Sequence, residues 1–509
     1  MPVKIISASI IGFEARLIEV ETETSYGLRS FDIVGLGDKA VEESKQRVNA
    51  AIKNSGYKHP ASQPQKVLVN LAPADLKKEG SIFDLPIAIG YLLKSGQISF
   101  NPRKKIFLGE LALDGSVRPI KGALAIALAA KSWGIEEMIL PAANAKEASL
   151  AFINSNSQIK ITGINNFRQT VEHICGLRLA NQTTSENVTM PVTQELVDMG
   201  WIKGQEFAKR AMEVAAAGNH NILMIGPPGG GKSLLAKALP SILPDMTTPE
   251  MVEVTKIYSI AGLMKDGQNL ITARPFRAPH HSASVSAVIG GGNPISPGEI
   301  TLAHRGVLFL DEFPEFHRDT LESLRQPLED GEITVSRAKN RITFPSRFML
   351  VAAANPTPGG FSEDENNRYL PSQISKYKRK LSGPLIDRID IAIELPAVKF
   401  DKLVEENIPI QSPTIKARVN FARKKQQDRF ISKKILSNAE MQTPQIKEFC
   451  KIDSQSSDLI KKYVDTGKLS ARGFHKILKI ARTIADLDAC EKISFAHVSE
   501  ALMYRIKNE

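Results

Sequence analysis

The sequence predicts an α/β protein with a parallel sheet flanked by helices, and three observations lead there. A glycine-rich loop, Gly226-Pro227-Pro228-Gly229-Gly230-Gly231-Lys232-Ser233, follows the strand-like run at 221–225 (NILMI) and opens a helix-like run, SLLAKAL. A second apolar run, 307–310 (VLFL), ends in two carboxylates, Asp311 and Glu312. Strand-like and helical patterns also alternate, first up to about Cys175 and again from Met199 to about Pro396.

Taken in order, the first segment places short strands at 66–70 and 138–140, and helices at 40–54 and 123–131. Residues 181–194 (NQTTSENVTMPVTQ) are polar, lack apolar periodicity and contain Pro191, as a linker does. Strands at 221–225, 307–310 and 348–353 follow, and from about Pro413 the chain reads as helical. These breaks give an N-terminal α/β domain at 1–176, a linker at 177–195, a second α/β core at 196–397, a second linker at 398–412 and a helical domain at 413–509.

A chain of 509 residues is too long for a single core, so several domains are expected. Its 42% hydrophobic and 24% charged residues are ordinary for a globular protein. The best apolar run, 122–130, stops at Lys131, well short of the roughly 18 residues a membrane span needs. The N-terminus lacks the pattern of a signal peptide, so the cytoplasm is the expected compartment and no membrane is involved. Cys175, Cys450 and Cys490 lie far apart and form no metal or disulfide framework.

The formal net charge of +11 makes a polyanionic partner plausible. From Lys416 to Lys434 eight Lys or Arg stand against Asp428, a net of +7, and Lys376, Lys378, Arg379 and Lys380 form a second cluster. A solvated helix face is the plain alternative for either cluster.

The loop at Gly226 fits the pattern of glycine, four residues, then Gly-Lys-Ser. Its glycines let backbone N–H groups turn inward on phosphate oxygens, aided by the positive end of the helix that follows. Lys232 then reaches the β/γ-phosphates and the Ser233 hydroxyl ligates Mg²⁺. Asp311 and Glu312 stand at the carboxyl end of their strand, on the side where the loop opens. Asp311 can hold the Mg²⁺ shell, and Glu312 can orient and deprotonate the attacking water. The run at 348–354 ends at Asn355, which can reach the γ-phosphate or its water, or simply form the turn before Pro356. Arg388 lies among acidic residues in Leu385-Ile-Asp387-Arg388-Ile-Asp390, as a local salt bridge or as an arginine acting on a neighbour's nucleotide.

Beyond these motifs, the stretch from Gly204 to Ile391 resembles the magnesium-chelatase-like AAA+ ATPases, and within them the YifB/ComM family. The strings that carry the resemblance are RPFRAPHHSAS, GGGNPISPGEITLAHRGVLFLDEFPEF, LRQPLEDGEITVSRA and SGPLIDRID, with LSARGFHKILKIARTIADL near the C-terminus. The resemblance implies that Asn355 is sensor 1, Arg388 the arginine finger and Arg472 sensor 2, with the helical domain as a lid. It implies a ring, usually a hexamer, that hydrolyses ATP with Mg²⁺. It also implies an ATP-driven DNA motor for branch migration in natural transformation and homologous recombination, with a recombinase or other recombination proteins as partners. A β-hairpin that points into the pore precedes sensor 1 in this clade. Here 332–344 (EITVSRAKNRITF) reads independently as two strand-like runs around a basic, turn-prone centre. Arg337, Lys339 and Arg341 would then contact DNA phosphates without regard to sequence, unless the hairpin is merely exposed and its charges solubilising.

The first 175 residues resemble the C-terminal proteolytic domain of Lon, most clearly in GELALDGSVRPIKGALAIALAAKSWGIEEMILPAAN. Lon proteases use a Ser–Lys dyad. Laid onto that pattern, the lysine position falls on Ile126 and the serine position on Ile82, beside Ser81. Isoleucine takes no proton, so the domain is expected to be inactive as a protease and retained for assembly or partner binding. Relatives often carry cysteines after sensor 1, but 355–369 here contain none, which argues against zinc. His280 and His281 are expected to be structural or nucleotide-sensing. The competing functional readings are a remodelling or chelatase-type ATPase acting on a protein, and an active ATP-dependent protease, which the isoleucine at 126 argues against.

Overall fold

A computed structural model describes the chain except residues 79, 154–158, 184–195, 266, 293–294, 338–339, 358–376, 378–384, 399–410, 432–434, 468 and 506–509. The chain divides into two compact units: Met1–Pro191 with Thr248–Thr272 and Asn293–Ser296, and Val192–Thr247 with Ala273–Gly292 and Pro297–Glu509.

The first unit is built on an eight-stranded mixed sheet. Its strands are β1 (Val3–Ile11), β2 (Glu14–Tyr26), β3 (Ser30–Val34), β4 (Gln65–Ala72), β5 (Lys105–Phe107), β8 (Glu137–Pro141), β9 (Lys160–Ile164) and β10 (Gln182–Thr183), in the order β10-β9-β8-β5-β1-β2-β4-β3. The strands β6 (Glu110–Leu111) and β7 (Val117–Arg118) form a separate ribbon. β1 and β2 are paired antiparallel from Val3↔Thr22 to Ile11↔Glu14, so two residues, Gly12 and Phe13, turn the hairpin. The helices are α1 (Lys39–Asn54), α2 (Asp84–Lys94), α3 (Ala123–Ala130), α4 (Ala142–Ser149) and α5 (Phe167–Ile174). α1 starts where the Asp38 carboxylate accepts from Val41 N–H at 2.9 Å, and it buries Val41, Val48, Ala51 and Ile52 along one stripe. α3 is apolar all round, and Ile126 on it is fully buried with Ala8, Ile106 and Met138. The Ser81 hydroxyl donates to the Glu110 carboxylate.

The second unit carries a five-stranded, all-parallel sheet of β11 (Ile222–Ile225), β12 (Phe276–Arg277), β15 (Val307–Leu310), β18 (Met349–Ala354) and β19 (Ile391–Glu394), in the order β12-β15-β18-β11-β19. Strands covered on both faces need apolar residues throughout, and β15 (VLFL) and β18 (MLVAAA) are buried at every position. The helices α6 (Glu206–Gly218) and α7 (Lys232–Ala238) flank β11 in sequence. After α7 the chain leaves this unit: residues 248–272, with α8 (Thr248–Ala261), belong to the first. There α8 is fastened by Ser259, whose hydroxyl donates to buried Glu147, and by Lys256, 3.9 Å from the centre of the Phe13 ring.

Back in the second unit come α9 (Val285–Ile289), α10 (Glu299–Leu302), α11 (Arg318–Ser323) and α12 (Arg325–Asp330). In sequence, the two-residue strands β13 (Gly290–Gly291) and β14 (Ser296–Pro297) lie between α9 and α10. The antiparallel hairpin β16 (Glu332–Arg337) and β17 (Asn340–Pro345) follows α12. Among the described residues, five α-helices follow: α13 (Ser412–Arg429), α14 (Thr443–Phe449), α15 (Ser454–Asp465), α16 (Ala471–Leu487) and α17 (Phe495–Met503). α16 packs on α6, α13 and α17 and buries Ile477, Ile480, Ala481, Ile484 and Ala485. No described helix is long and apolar enough to cross a membrane.

Candidate nucleotide-hydrolysis site

The glycine-rich loop leaves β11 at Ile225 and enters α7 at Lys232. Gly226 is held so close to β19's exit that a Cβ there would stand 2.6 Å from the Leu395 carbonyl oxygen. Gly229 and Gly231 take φ values of +77° and +85°, open to glycine at little cost, which turns the loop back on itself. Lys232 is only 8% exposed, and its ammonium donates to Gly226 O (2.6 Å), Pro227 O (2.9 Å) and Asn355 Oδ1 (3.0 Å). Burial lowers its pKa, while Asp311 and Glu312 act in the opposite sense. The Ser233 hydroxyl donates to Asp311 Oδ2 at 2.7 Å. Two hard oxygen donors side by side at a phosphate loop fit Mg²⁺.

Glu312 follows directly and sits in the left-handed region at φ +51°, its N–H donating to Asp311 Oδ1 at 3.0 Å. Its carboxylate lies 3.1 Å from His281 Nδ1. The His281 ring stands 4.1 Å from that of His280, whose Nδ1 is hydrogen-bonded to Ser282. Asn355 follows the last residue of β18, and its carbonyl accepts from the Tyr377 hydroxyl at 3.0 Å. Burial pushes the Tyr377 hydroxyl up to about 12. Gln205, 4% exposed, donates to Gly230 O (3.2 Å) and Pro396 O (2.9 Å), tying the loop to the end of β19.

The structure therefore brings Lys232, Ser233, Asp311, Glu312 and Asn355 together at the carboxyl ends of three adjacent parallel strands. Arg388 and Arg472 meet elsewhere. Both guanidinium groups contact one oxygen of Glu329, at 2.5 Å and 2.9 Å. The cleft they line is bounded by Asp387, Arg347, His475 and Lys476 and by no described residue of the loop. Lys476 also donates to the carbonyls of Asp387 and Ile389, on either side of Arg388.

The hairpin forms where its two strand-like runs are read, with Arg337 opposite Asn340 and Ser336 opposite Arg341. Ile333, Val335 and Phe344 are buried, while Arg341 is exposed. Lys339 lies outside the described residues, as do Lys376, Lys378, Arg379 and Lys380 of the second basic cluster. The +7 stretch is largely used within the unit: Lys416 pairs with Asp245 (2.6 Å) and Arg418 with Glu213 (2.5 Å). Arg423 donates to the carbonyls of Ala216 and Ala217, Lys425 to that of Ala489, and Arg429 to Asp486. These contacts anchor α13 to the core and the neighbouring helices. Sequence reasoning missed Glu329, Lys476 and Gln205; Gln205 stands beside a glycine at the edge of the resembling stretch, and the other two lie inside resembling strings, at 324–338 and 469–487, without a motif of their own.

Residues 198–403 match the family described as magnesium chelatase, subunit ChlI. Residues 20–144 match subunit ChlI of Mg-chelatase, and residues 410–505 its C-terminal region. The chain is 42% identical to the competence protein ComM of Haemophilus influenzae over 98% of its length and 96% of that protein's. It is 41% identical to YifB of Escherichia coli over 97% of this chain and 95% of that one. A partial likeness, 29% identity over 32% of the chain and 19% of the relative, links it to the DNA replication licensing factor mcm-5 of Caenorhabditis elegans. With its phosphate loop, paired carboxylates and parallel sheet, the chain belongs to the magnesium-chelatase-like AAA+ ATPases, in the family of ComM and YifB.

Proposed function

We propose that this chain is one subunit of an ATP-hydrolysing ring, a hexamer, that drives branch migration of DNA in natural transformation and homologous recombination. The observation that carries the reading is the separation of its charged groups. The phosphate-binding and water-activating side chains gather at one place, and the two arginines gather on Glu329 at another. Such a division suits subunits that each supply half of a hydrolytic site. The names of two relatives, a competence protein and a DNA replication licensing factor, support DNA as the polymer handled.

In this mechanism the N–H groups of the Gly226–Gly231 loop hold the nucleotide phosphates, and Lys232 exchanges its carbonyl partners for β/γ-phosphate oxygens. Mg²⁺ bound with the nucleotide at Ser233 and Asp311 would draw charge from the phosphate oxygens. Glu312 orients a water for in-line attack on the γ-phosphorus and accepts its proton. Asn355, already on Lys232 Nζ, fixes the γ-phosphate side of the site. Arg388 and Arg472 of one subunit then stabilise the transferring phosphoryl group of the next. Arg337, Lys339 and Arg341 grip the DNA backbone. The N-terminal unit, read as a Lon-like fold, serves assembly or partner binding; the buried isoleucine at 126 offers it no general base.

The test is ATP-dependent strand movement on a synthetic four-way junction, run beside ATP hydrolysis with single-stranded, duplex and branched DNA. The reading requires movement that stops in Glu312→Gln. Hydrolysis indifferent to every DNA, with no strand movement, would leave a protein-remodelling ATPase in its place.

A further inference from the structure

Glu329 has no part in the mechanism above, yet it stands at the crossing of two of its components. Its Oε1 atom takes both the Arg388 and the Arg472 guanidinium group. Arg388 comes from the turn before β19, and Arg472 from the first turn of α16, where the Ser470 hydroxyl caps the helix. Two cations drawn together from separate elements repel one another unless an anion lies between them. The side chains are 15% exposed at Arg388, 62% at Arg472 and 43% at Glu329, so the carboxylate is reachable from solvent. The pair with Arg472, open to solvent on both sides, is weak and easily exchanged, whereas Arg388 is the more enclosed partner. A phosphate, with more charge and more acceptor oxygens, is the stronger partner for a guanidinium group.

Glu329 also stands three residues before the first residue of the hairpin. It is the penultimate residue of α12, and Gly331 joins α12 to β16. The Gly331 N–H donates to Pro327 O (2.9 Å), and the Ser346 N–H at the far foot of the hairpin donates to Gly331 O (2.8 Å). Both feet of the hairpin are thus fixed to the end of the helix that presents Glu329.

We propose that Glu329 is a positioning residue that stands in for phosphate in the resting subunit. It holds Arg388 and Arg472 together until a neighbouring subunit's nucleotide takes them, and through α12 it ties that exchange to the hairpin. The proposal rests on the reading that both arginines act across the ring interface.

Glu329→Gln removes the competing charge with little change in shape at a half-exposed site. In full-length protein, ATP hydrolysis without DNA should then rise by at least roughly two- to fivefold, the factor that loss of the exposed Arg472 pair alone supplies. The concentration of ATP at half-maximal rate should fall. The rate with branched DNA should hold steady, so that the ratio of stimulated to basal rate shrinks. Glu329→Asp, which keeps the charge, should restore most of the ratio. Parallel measurement of Arg388→Ala separates the two levels of argument. If Arg388→Ala hydrolyses ATP normally, the reading of the arginines fails and the proposal with it. If Arg388→Ala is inactive but Glu329→Gln keeps the wild-type basal rate and stimulation ratio, the proposal alone is overturned. A folded Glu329→Gln protein that loses both rates together also overturns it, because Glu329 would then be needed for hydrolysis itself.

Discussion

Replacing Lys232 by Met tests the nucleotide site at its most buried cation. The substitution keeps an unbranched apolar stem in a position that is 8% exposed and removes only the ammonium group. That group now holds three oxygens, of Gly226, Pro227 and Asn355, at 2.6 to 3.0 Å. In the bound state at least one or two of these contacts pass to phosphate oxygens. Hydrogen bonds to a charged group contribute about 1.5–3 kcal/mol each, so the loss of one or two is worth about 1.5–6 kcal/mol. At 1.4 kcal/mol per tenfold, nucleotide affinity should fall by roughly tenfold at the least and by about 20,000-fold at the most. Titration with a fluorescent ATP analogue in the presence of Mg²⁺ measures it, with thermal unfolding as the control for the fold. A folded Lys232→Met protein that binds within about twofold of the wild type and still hydrolyses ATP would refute the reasoning, since a charged hydrogen bond cannot be so cheap to lose.

Other consequences are equally direct. Glu312→Gln should bind ATP at near-wild-type affinity and fail to hydrolyse it, as single-turnover assays would register; a normal rate would remove Glu312 from the role of base. Arg388→Ala subunits should bind nucleotide but not turn it over, and mixing them with Lys232→Ala subunits should recover part of the activity, because some mixed interfaces contain an intact site. In the first unit, burial alone would raise the Glu137 carboxyl, but hydrogen bonds from His173, Lys105 and Thr162 hold it at about 2 against an ordinary 4.5. A carboxylate depressed in the folded state stabilises it fully above pH 4.5 and loses that contribution as the pH falls towards 2, on the order of 3 kcal/mol in all. Glu137→Gln should therefore be less stable near neutrality and show a flatter loss of stability between pH 4.5 and 2, by denaturant titration of the full chain.

Much of this site was legible because phosphate chemistry and buried parallel strands both write themselves locally. The runs at 221–225, 307–310 and 348–353 became β11, β15 and β18 within a residue at each end, since strands covered on both faces admit only apolar side chains. The hairpin was legible for a related reason: two alternating runs met at a short basic turn. What sequence could not reveal depends on distant packing. Nothing in residues 248–272 marks a change of composition, yet they belong with the first unit, where Ser259 reaches Glu147. The stretch from Lys416 reads as a free basic face, but Arg423 is buried on two carbonyls and the half-exposed Arg418 pairs with buried Glu213. For His281 the sequence leaves a structural and a nucleotide-sensing role side by side, and its contact with Glu312 is a matter of three dimensions. Glu329 looks like any acidic residue at a helix end until two arginines arrive from 59 and 143 residues away.

The claim at the centre of this account is that ATP hydrolysis here is coupled to DNA through the hairpin. The most direct measurement compares steady-state ATP hydrolysis, with and without branched DNA, in the wild type and in a variant with Arg337, Lys339 and Arg341 all replaced by Ala. The account predicts that the wild type is stimulated by DNA and that the variant keeps its DNA-free rate but loses the stimulation. Its DNA binding should also depend less steeply on salt, because fewer counterions are released. Stimulation of the variant equal to that of the wild type would contradict the claim.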